Sequence, residues 1–221
     1  MYYASTASSK AGTLSPTMNM QPYTEDQNDA LQEVVNIAMG QAGDSLARIL
    51  GNFVALSVPR IRLVTVKDVI KTVTEMVDAK AEISAVRQAF ANSLRGEAIV
   101  VFAQAGADDL ADLMGYDTEL DQSAEQELLL EVGNLLVGAV INGISDTLET
   151  DLSFSAPSLM AERTPLERVL VPEQLSWTHA LLMEVNFTVE GRDFKCHLLM
   201  FMTEEAIDTL RGILDEFLEG I

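Results

Sequence analysis

The chain has 221 residues, a hydrophobic content of 48% and a formal net charge of −20. This length and composition allow one large domain or two small ones, with a sizeable buried core. So strong a negative charge argues against nucleic acid or an anionic membrane surface as the partner, because like charges repel. The single cysteine, Cys196, excludes an internal disulfide.

The first 23 residues show no hydrophobic period, so we expect a mobile tail or the remnant of a linker at 1–23. This segment lacks the apolar run of a secretory signal. No stretch of the chain reaches the roughly 18 apolar residues that a membrane span needs. We therefore expect a cytoplasmic protein whose folded domain covers residues 24–221.

The first half of this domain predicts one long helix followed by strands. Thr24 and Gln27 fit a capping box, and apolar residues recur at helical spacing from there to about Leu50. Alternating or β-branched segments then predict strands, at 53–59, 60–66, 81–90 and 96–103. A short helix or an irregular segment is expected at 67–78, and a short helix closed by Gly115 at 107–115.

The second half predicts a similar order of elements. Ser123 and Gln126 fit a second capping box, and a long helix is expected from there to about Thr150. Strands are expected at 151–157, 178–191 and 194–203, and a last helix at 204–218.

The similar order of elements indicates an internal repeat. When residues 29–59 are set against 127–157 without a gap, eight positions are identical. Several of them are polar, or are Gly or Pro, which a shared helical period does not explain. We therefore infer a duplication, with one repeat at about 24–121 and the other at about 122–221. The identical pairs are Leu31/Leu129, Glu33/Glu131, Val34/Val132, Asn36/Asn134, Gly40/Gly138, Leu50/Leu148, Ser57/Ser155 and Pro59/Pro157.

Each long helix carries one line of polar and glycine residues at steps of four, three and four, which places them on one helix face. The first line is Asp29, Glu33, Asn36 and Gly40, and the second is Glu127, Glu131, Asn134 and Gly138. Such residues are usually ordinary solvated surface, and the glycines could simply let a helix lie close to a sheet. Glycine inside a helix costs about 1 kcal/mol relative to alanine, however. Its recurrence beside a Glu–Asn pair, with Pro59 or Pro157 23 residues after each Asn, favours a site that a partner approaches closely.

This pattern resembles the sequence signature of the CheC/CheX/FliY chemotaxis phosphatases, which reads Asp or Ser, three residues, Glu, two residues, Asn, 22 residues, Pro. Asp29, Glu33, Asn36 and Pro59 match all four positions. The second copy matches at its Glu, Asn and Pro, but Glu127 stands where Asp or Ser is expected. Two copies in one chain are similar to CheC, whereas CheX-like chains carry one copy and dimerise. We therefore expect a monomer.

The resemblance implies a phosphatase that hydrolyses the aspartyl-phosphate of a CheY-like response-regulator receiver domain. Asn36 and Asn134 would each orient the attacking water, since a carboxamide can donate and accept hydrogen bonds but is no general base at pH 7. Glu33 and Glu131 would pair with a lysine of the receiver. No cofactor of its own and no metal site are expected in the chain, and Mg²⁺ would belong to the receiver. A CheD-like deamidase is a further partner that the resemblance implies.

The fold expected from the resemblance and the repeat is α+β with pseudo-two-fold symmetry. Two long helices would pack on a mixed or antiparallel sheet, with the strands at 81–90, 96–103, 178–191 and 194–203 near its middle. One domain is expected, because each repeat is too small to cover its own apolar helix face.

Other functions remain open at this point. A non-catalytic interaction module like the FliM middle domain has the same fold type but lacks the Glu–Asn pairs, and a small-ligand sensor has no positive feature in the sequence. A cysteine phosphatase needs an arginine six residues after its cysteine, where Met202 stands after Cys196. His179 and His197 both fall in predicted strands and are expected to be core or edge residues rather than ligands.

Overall fold

The structure is a computed structural model that describes residues 23–76, 82–116, 121–169, 179–192 and 194–220. Within them, helices and strands follow the same order in both halves of the chain. The first half contains α1 (Glu25–Leu50), β1 (Val54–Leu56), β2 (Arg60–Thr65), α2 (Val69–Met76), β3 (Glu82–Asn92), β4 (Gly96–Ala103) and α3 (Gln104–Leu113). The second half contains α4 (Gln122–Thr147), β5 (Leu152–Phe154), β6 (Ser158–Pro165), α5 (Leu166–Val169), β7 (His179–Val189), β8 (Lys195–Thr203) and α6 (Glu204–Glu219). This order is what a duplication predicts; the duplication itself stays an inference from sequence.

The described strands form one eight-stranded sheet in which every pairing is antiparallel. Its main order is β1-β7-β8-β4-β3-β5, while β2 also pairs with β7 and β6 with β3. The α+β prediction is therefore confirmed, as is the central position of the four long strands. Each half places its two short strands beside the long hairpin of the other half, so both repeats share one sheet.

The two long helices lie on one face of this sheet and cover the main core. Their buried side chains pack against apolar residues from the four central strands. The helices also touch each other, and a Cβ built on Gly143 of α4 would lie 2.8 Å from the Cα of Ala38 in α1. A second, smaller apolar cluster on the other face includes residues of α2 and α5. Burial on both faces explains why β8 is a nearly continuous apolar run.

Helix α4 is the one described helix that is long and apolar enough to cross a membrane by length and composition. Within its apolar window, 61% of the residues are buried inside the protein. A helix at the centre of a folded core has the same composition, so α4 serves here as the core helix that the sheet and α1 cover.

The start of α1 is fixed as the sequence predicts. Thr24 and Gln27 form the capping box, and Gln27 also donates from Nε2 to Oδ1 of Asp215 in α6 at 2.6 Å. Tyr23 belongs to the tail expected at 1–23, but it is half-buried and its hydroxyl donates to the carbonyl of Ile207 at 3.2 Å. The domain thus begins at least one residue earlier than predicted, and residues 1–22 of the tail prediction lie outside the described residues.

Three sequence predictions need correction. Helix α4 has Asp121 as its N-cap, accepting from the amide of Ala124, so the capping box at Ser123 and Gln126 is wrong. An aspartate is as good an N-cap as a serine and lies two residues earlier. The strands expected at 53–59 and 151–157 are only three residues long. Strand β6 was missed altogether, although it occupies the repeat position of β2.

Candidate functional site

The first Glu–Asn pair lies on an exposed face of α1. Asp29, Glu33, Asn36 and Gly40 are all exposed, as their helical spacing predicts. Among the described residues, a Cβ built on Gly40 would meet nothing within 4 Å. No packing contact in this part of the chain therefore explains the glycine, which leaves space beside Asn36 for another molecule.

Pro59 is hydrogen-bonded to α1 close to the first Glu–Asn pair. It is buried, and its carbonyl accepts a hydrogen bond from Nε2 of Gln32 at 3.1 Å. Gln32 lies one helical turn before Asn36, so the contact ties the β1–β2 connection to α1 beside the pair. The proline of the pattern thus has a structural place in the site.

The second Glu–Asn pair lies on α4, where Glu127, Glu131 and Asn134 are also exposed. Gly138, in contrast, is buried. A Cβ built on Gly138 would lie 3.1 Å from Cζ of Phe154 in β5. Here the glycine lets an aromatic side chain of the same protein pack close to the helix, so the two glycines of the repeat do different things.

Asn134 is held by a residue that the sequence analysis did not identify. Nε2 of Gln88, in β3, donates to Oδ1 of Asn134 at 3.1 Å and to the carbonyl of Ser155 at 2.7 Å. Gln88 is only 1% exposed. The sequence does contain an indication of its role, because Gln88 is polar but lies on the core-facing side of a predicted strand, between Val86 and Phe90.

The repeated serines have a structural explanation. Ser57 exchanges two hydrogen bonds with Asn186, because its amide donates to the Asn186 carbonyl and its hydroxyl accepts from the Asn186 amide, both at 3.0 Å. Ser155 makes the same exchange with Ala89, at 2.8 and 3.1 Å. Each serine therefore links a long strand to the chain segment just before the proline of the pattern. That proline is Pro59 in the first copy and the half-buried Pro157 in the second.

Both candidate sites are acidic. Asp29 and Glu33 are one turn apart, and so are Glu127 and Glu131. Within the described ranges, none of these four carboxylates forms an ion pair with a basic side chain. The four charges therefore remain available to attract a cationic group of a partner.

A buried polar cluster lies away from the helices, in the sheet. Glu184 is fully buried, its Oε2 lies 2.7 Å from Nε of Arg60, and its Oε1 lies 2.7 Å from Nδ1 of His197. Burial by itself raises the pKa of Glu184, but the hydrogen bonds from His197 and Arg60 outweigh it and hold this pKa below its ordinary value. The cluster is a satisfied buried network, and His197 is a core residue as predicted.

The described residues include no group of three or more His, Cys, Asp or Glu side chains that could hold a metal ion. His179, at the start of β7, is half-buried with Nδ1 3.6 Å from Oε1 of Glu204.

Several solved structures have folds similar to this chain, among them the following three. FliY of Thermotoga maritima is 22% identical with a TM-score of 0.68, and the match covers 89% of this chain and 100% of FliY. The FliM middle domain of Vibrio alginolyticus is 12% identical with a TM-score of 0.60, over 83% of this chain and 99% of that domain. The chemotaxis protein CheX of Desulfovibrio desulfuricans is 13% identical with a TM-score of 0.53, over 77% and 99%. No family model and no curated protein matches the sequence.

The chain therefore has the CheC/CheX/FliY-type fold that its repeated pattern indicates. At these identities the similarity establishes the fold alone, and FliM middle domains share it.

Proposed function

We propose that the chain is a protein aspartyl-phosphate phosphatase that acts on the receiver domain of a CheY-like response regulator in chemotaxis. The observation that carries this proposal is the repeated exposed Glu–Asn pair, once on α1 and once on α4. Only eight of the 31 aligned positions are identical between the two copies, so the retention of both exposed pairs favours a function rather than ordinary surface. A receiver substrate would place the chain in the cytoplasm.

In this proposal each carboxamide positions the water that attacks the phosphorus atom. The water oxygen forms the new P–O bond, the bond to the aspartate oxygen breaks, and the aspartate leaves as a carboxylate. Both protons of the attacking water leave with the phosphate as H₂PO₄⁻, which can then release one of them to the solvent. Phosphoryl transfer depends mainly on positioning and charge stabilisation, so a group that holds water is sufficient and no nucleophile of the enzyme is needed. Mg²⁺ of the receiver would neutralise the phosphoryl charge.

The acidic residues would hold the receiver in place. Glu33 and Glu131 are exposed, lie one turn before their asparagines and can pair with a receiver lysine. Gly40 leaves room for the partner's backbone beside Asn36. A single chain with two such faces can act as a monomer, and a CheD-like deamidase is a further proposed partner.

The decisive experiment measures phosphate release from a phosphorylated receiver in the presence of Mg²⁺. Asn36→Ala and Asn134→Ala should each remove one site and leave part of the activity, while the double variant should fall to the receiver's own rate. Losing a water-positioning group costs on the order of 10²–10³ in rate at that site. Asn142→Ala is the matched control, because Asn142 is exposed on α4 about 12 Å beyond Asn134. A double variant as active as the wild type would exclude the asparagines as catalytic residues.

The similarity to FliM middle domains favours one alternative, a module that binds a receiver or a switch component without catalysis. Such a module would bind the phosphorylated receiver and leave the lifetime of its phosphoryl group unchanged. A phosphorylated receiver that binds the chain while its phosphate lifetime stays unchanged would decide for this alternative.

A further inference from the structure

The two Glu–Asn pairs differ beneath the surface. The Asn134 carboxamide is hydrogen-bonded to the buried Gln88. Over the described residues, the carboxamide of Asn36 makes no hydrogen bond to the protein. We propose that Gln88 is a positioning residue that presets Asn134 for catalysis, and that Asn36 has no equivalent. This inference rests on the proposed function.

The direction of these hydrogen bonds follows from chemistry. The Ser155 carbonyl is only an acceptor, so the amide nitrogen of Gln88 must face it, and the distance is 2.7 Å. The same nitrogen carries the hydrogen that Asn134 accepts, so Asn134 must turn its Oδ1 inward. Nδ2 of Asn134 is then directed away from Gln88. The second site therefore offers an N–H donor in a fixed place, together with one remaining lone pair of Oδ1.

The absence of this arrangement at the first site follows from the strand register. Ser155 exchanges backbone and hydroxyl hydrogen bonds with Ala89, as Ser57 does with Asn186, so Ala89 and Asn186 are equivalent positions. The residue before Ala89 is Gln88, and the residue before Asn186 is Val185. Val185 is fully buried and has no hydrogen-bond donor in its side chain. Nothing at that position can hold Asn36.

The burial of Gln88 indicates that its side chain has a role beyond packing. It is 1% exposed, and its Oε1 has no hydrogen-bond partner among the described residues. A buried polar group left partly unsatisfied is costly, and such groups usually serve a purpose beyond packing. A valine would fill this place in the core, as it does in the other half of the chain.

The kinetic test isolates each site. In an Asn36→Ala background, where only the second site acts, Gln88→Met should lower kcat for phosphate release about 3- to 10-fold and leave KM unchanged. In an Asn134→Ala background the same substitution should leave the rate unchanged. Equal losses in both backgrounds would show that Gln88 acts through the general fold, and no loss in either would also overturn the proposal.

A second test needs neither activity nor a Gln88 variant. NMR relaxation of side-chain amides, assigned with Asn36→Ala and Asn134→Ala, should show a rigid Asn134 amide and a mobile Asn36 amide in the wild-type protein. Equal mobility of the two would overturn the positioning role. If no receiver is dephosphorylated, the proposed function fails, while this measurement still decides whether the Asn134 amide is held rigidly and the Asn36 amide is not.

Discussion

The substitution Gly40→Ala should change the stability of α1 and the phosphatase activity at its exposed face in opposite directions. Gly40 lies inside the helix, and the added methyl group would meet no described residue within 4 Å. Alanine is favoured over glycine in a helix interior by about 1 kcal/mol, so the free energy of unfolding should rise by about that amount. For a chain of this size the midpoint of thermal unfolding should rise by about 2–4 °C.

Gly138→Ala is the matched control on α4. It gains the same helix propensity, but its methyl group would lie 3.1 Å from Cζ of Phe154, which must move by a few tenths of an ångström. The strain offsets part of the gain, so this variant should be less stabilised than Gly40→Ala. Urea denaturation monitored by circular dichroism measures both free energies of unfolding.

The activity of Gly40→Ala should move in the opposite direction to its stability. In the Asn134→Ala background, where only the first site acts, a methyl group one turn from Asn36 should obstruct a closely bound receiver. We expect phosphate release to fall about tenfold, equivalent to about 1.4 kcal/mol. A variant that is stabilised and fully active would refute close contact at Gly40, and a destabilised variant would refute the open space beside it.

Three further predictions concern the core. Glu184→Gln should lower the free energy of unfolding at pH 7 by at least about 2 kcal/mol, since it removes the charge that faces Arg60 and His197. Because folding lowers the pKa of Glu184 from 4.5, the ionised carboxylate stabilises the folded state above that pH, and this stabilisation is lost as the pH falls through the lowered pKa. Urea unfolding of the wild type and of Glu184→Gln from pH 7 to 3 should therefore show their difference in free energy of unfolding shrinking. A difference that stays constant would contradict this. Cys196 is fully buried, and burial raises the pKa of its thiol, so a thiol reagent should react only after unfolding; rapid labelling of the native protein would contradict its position. Gly143→Ala should be destabilised, in contrast to Gly40→Ala, because its methyl group would overlap the backbone of α1; unchanged or increased stability in the same denaturation assay would refute that close helix contact.

Local features of the chain predicted much of the fold. The long helices, the four central strands and the exposed line of residues on each long helix all follow from periodicity, which depends only on neighbouring residues. Strand β6 did not follow from local pattern. Its sequence, SLMAERTP, lacks regular alternation, and it becomes a strand because it pairs with β3. The repeat would have indicated it, since β6 begins 98 residues after β2.

The sequence by itself determined that two equivalent Glu–Asn pairs would face solvent, because helix geometry converts spacing directly into a shared face. Only the tertiary structure decided that the pairs have different surroundings. Gln88 is 46 residues from Asn134, and Phe154 is 16 residues from Gly138. Contacts of this kind depend on strand register and helix packing, which arise when distant segments are brought together. Although the two copies share the same pattern, Asn134 is held by the buried Gln88, whereas Asn36 makes no side-chain hydrogen bond to the described residues.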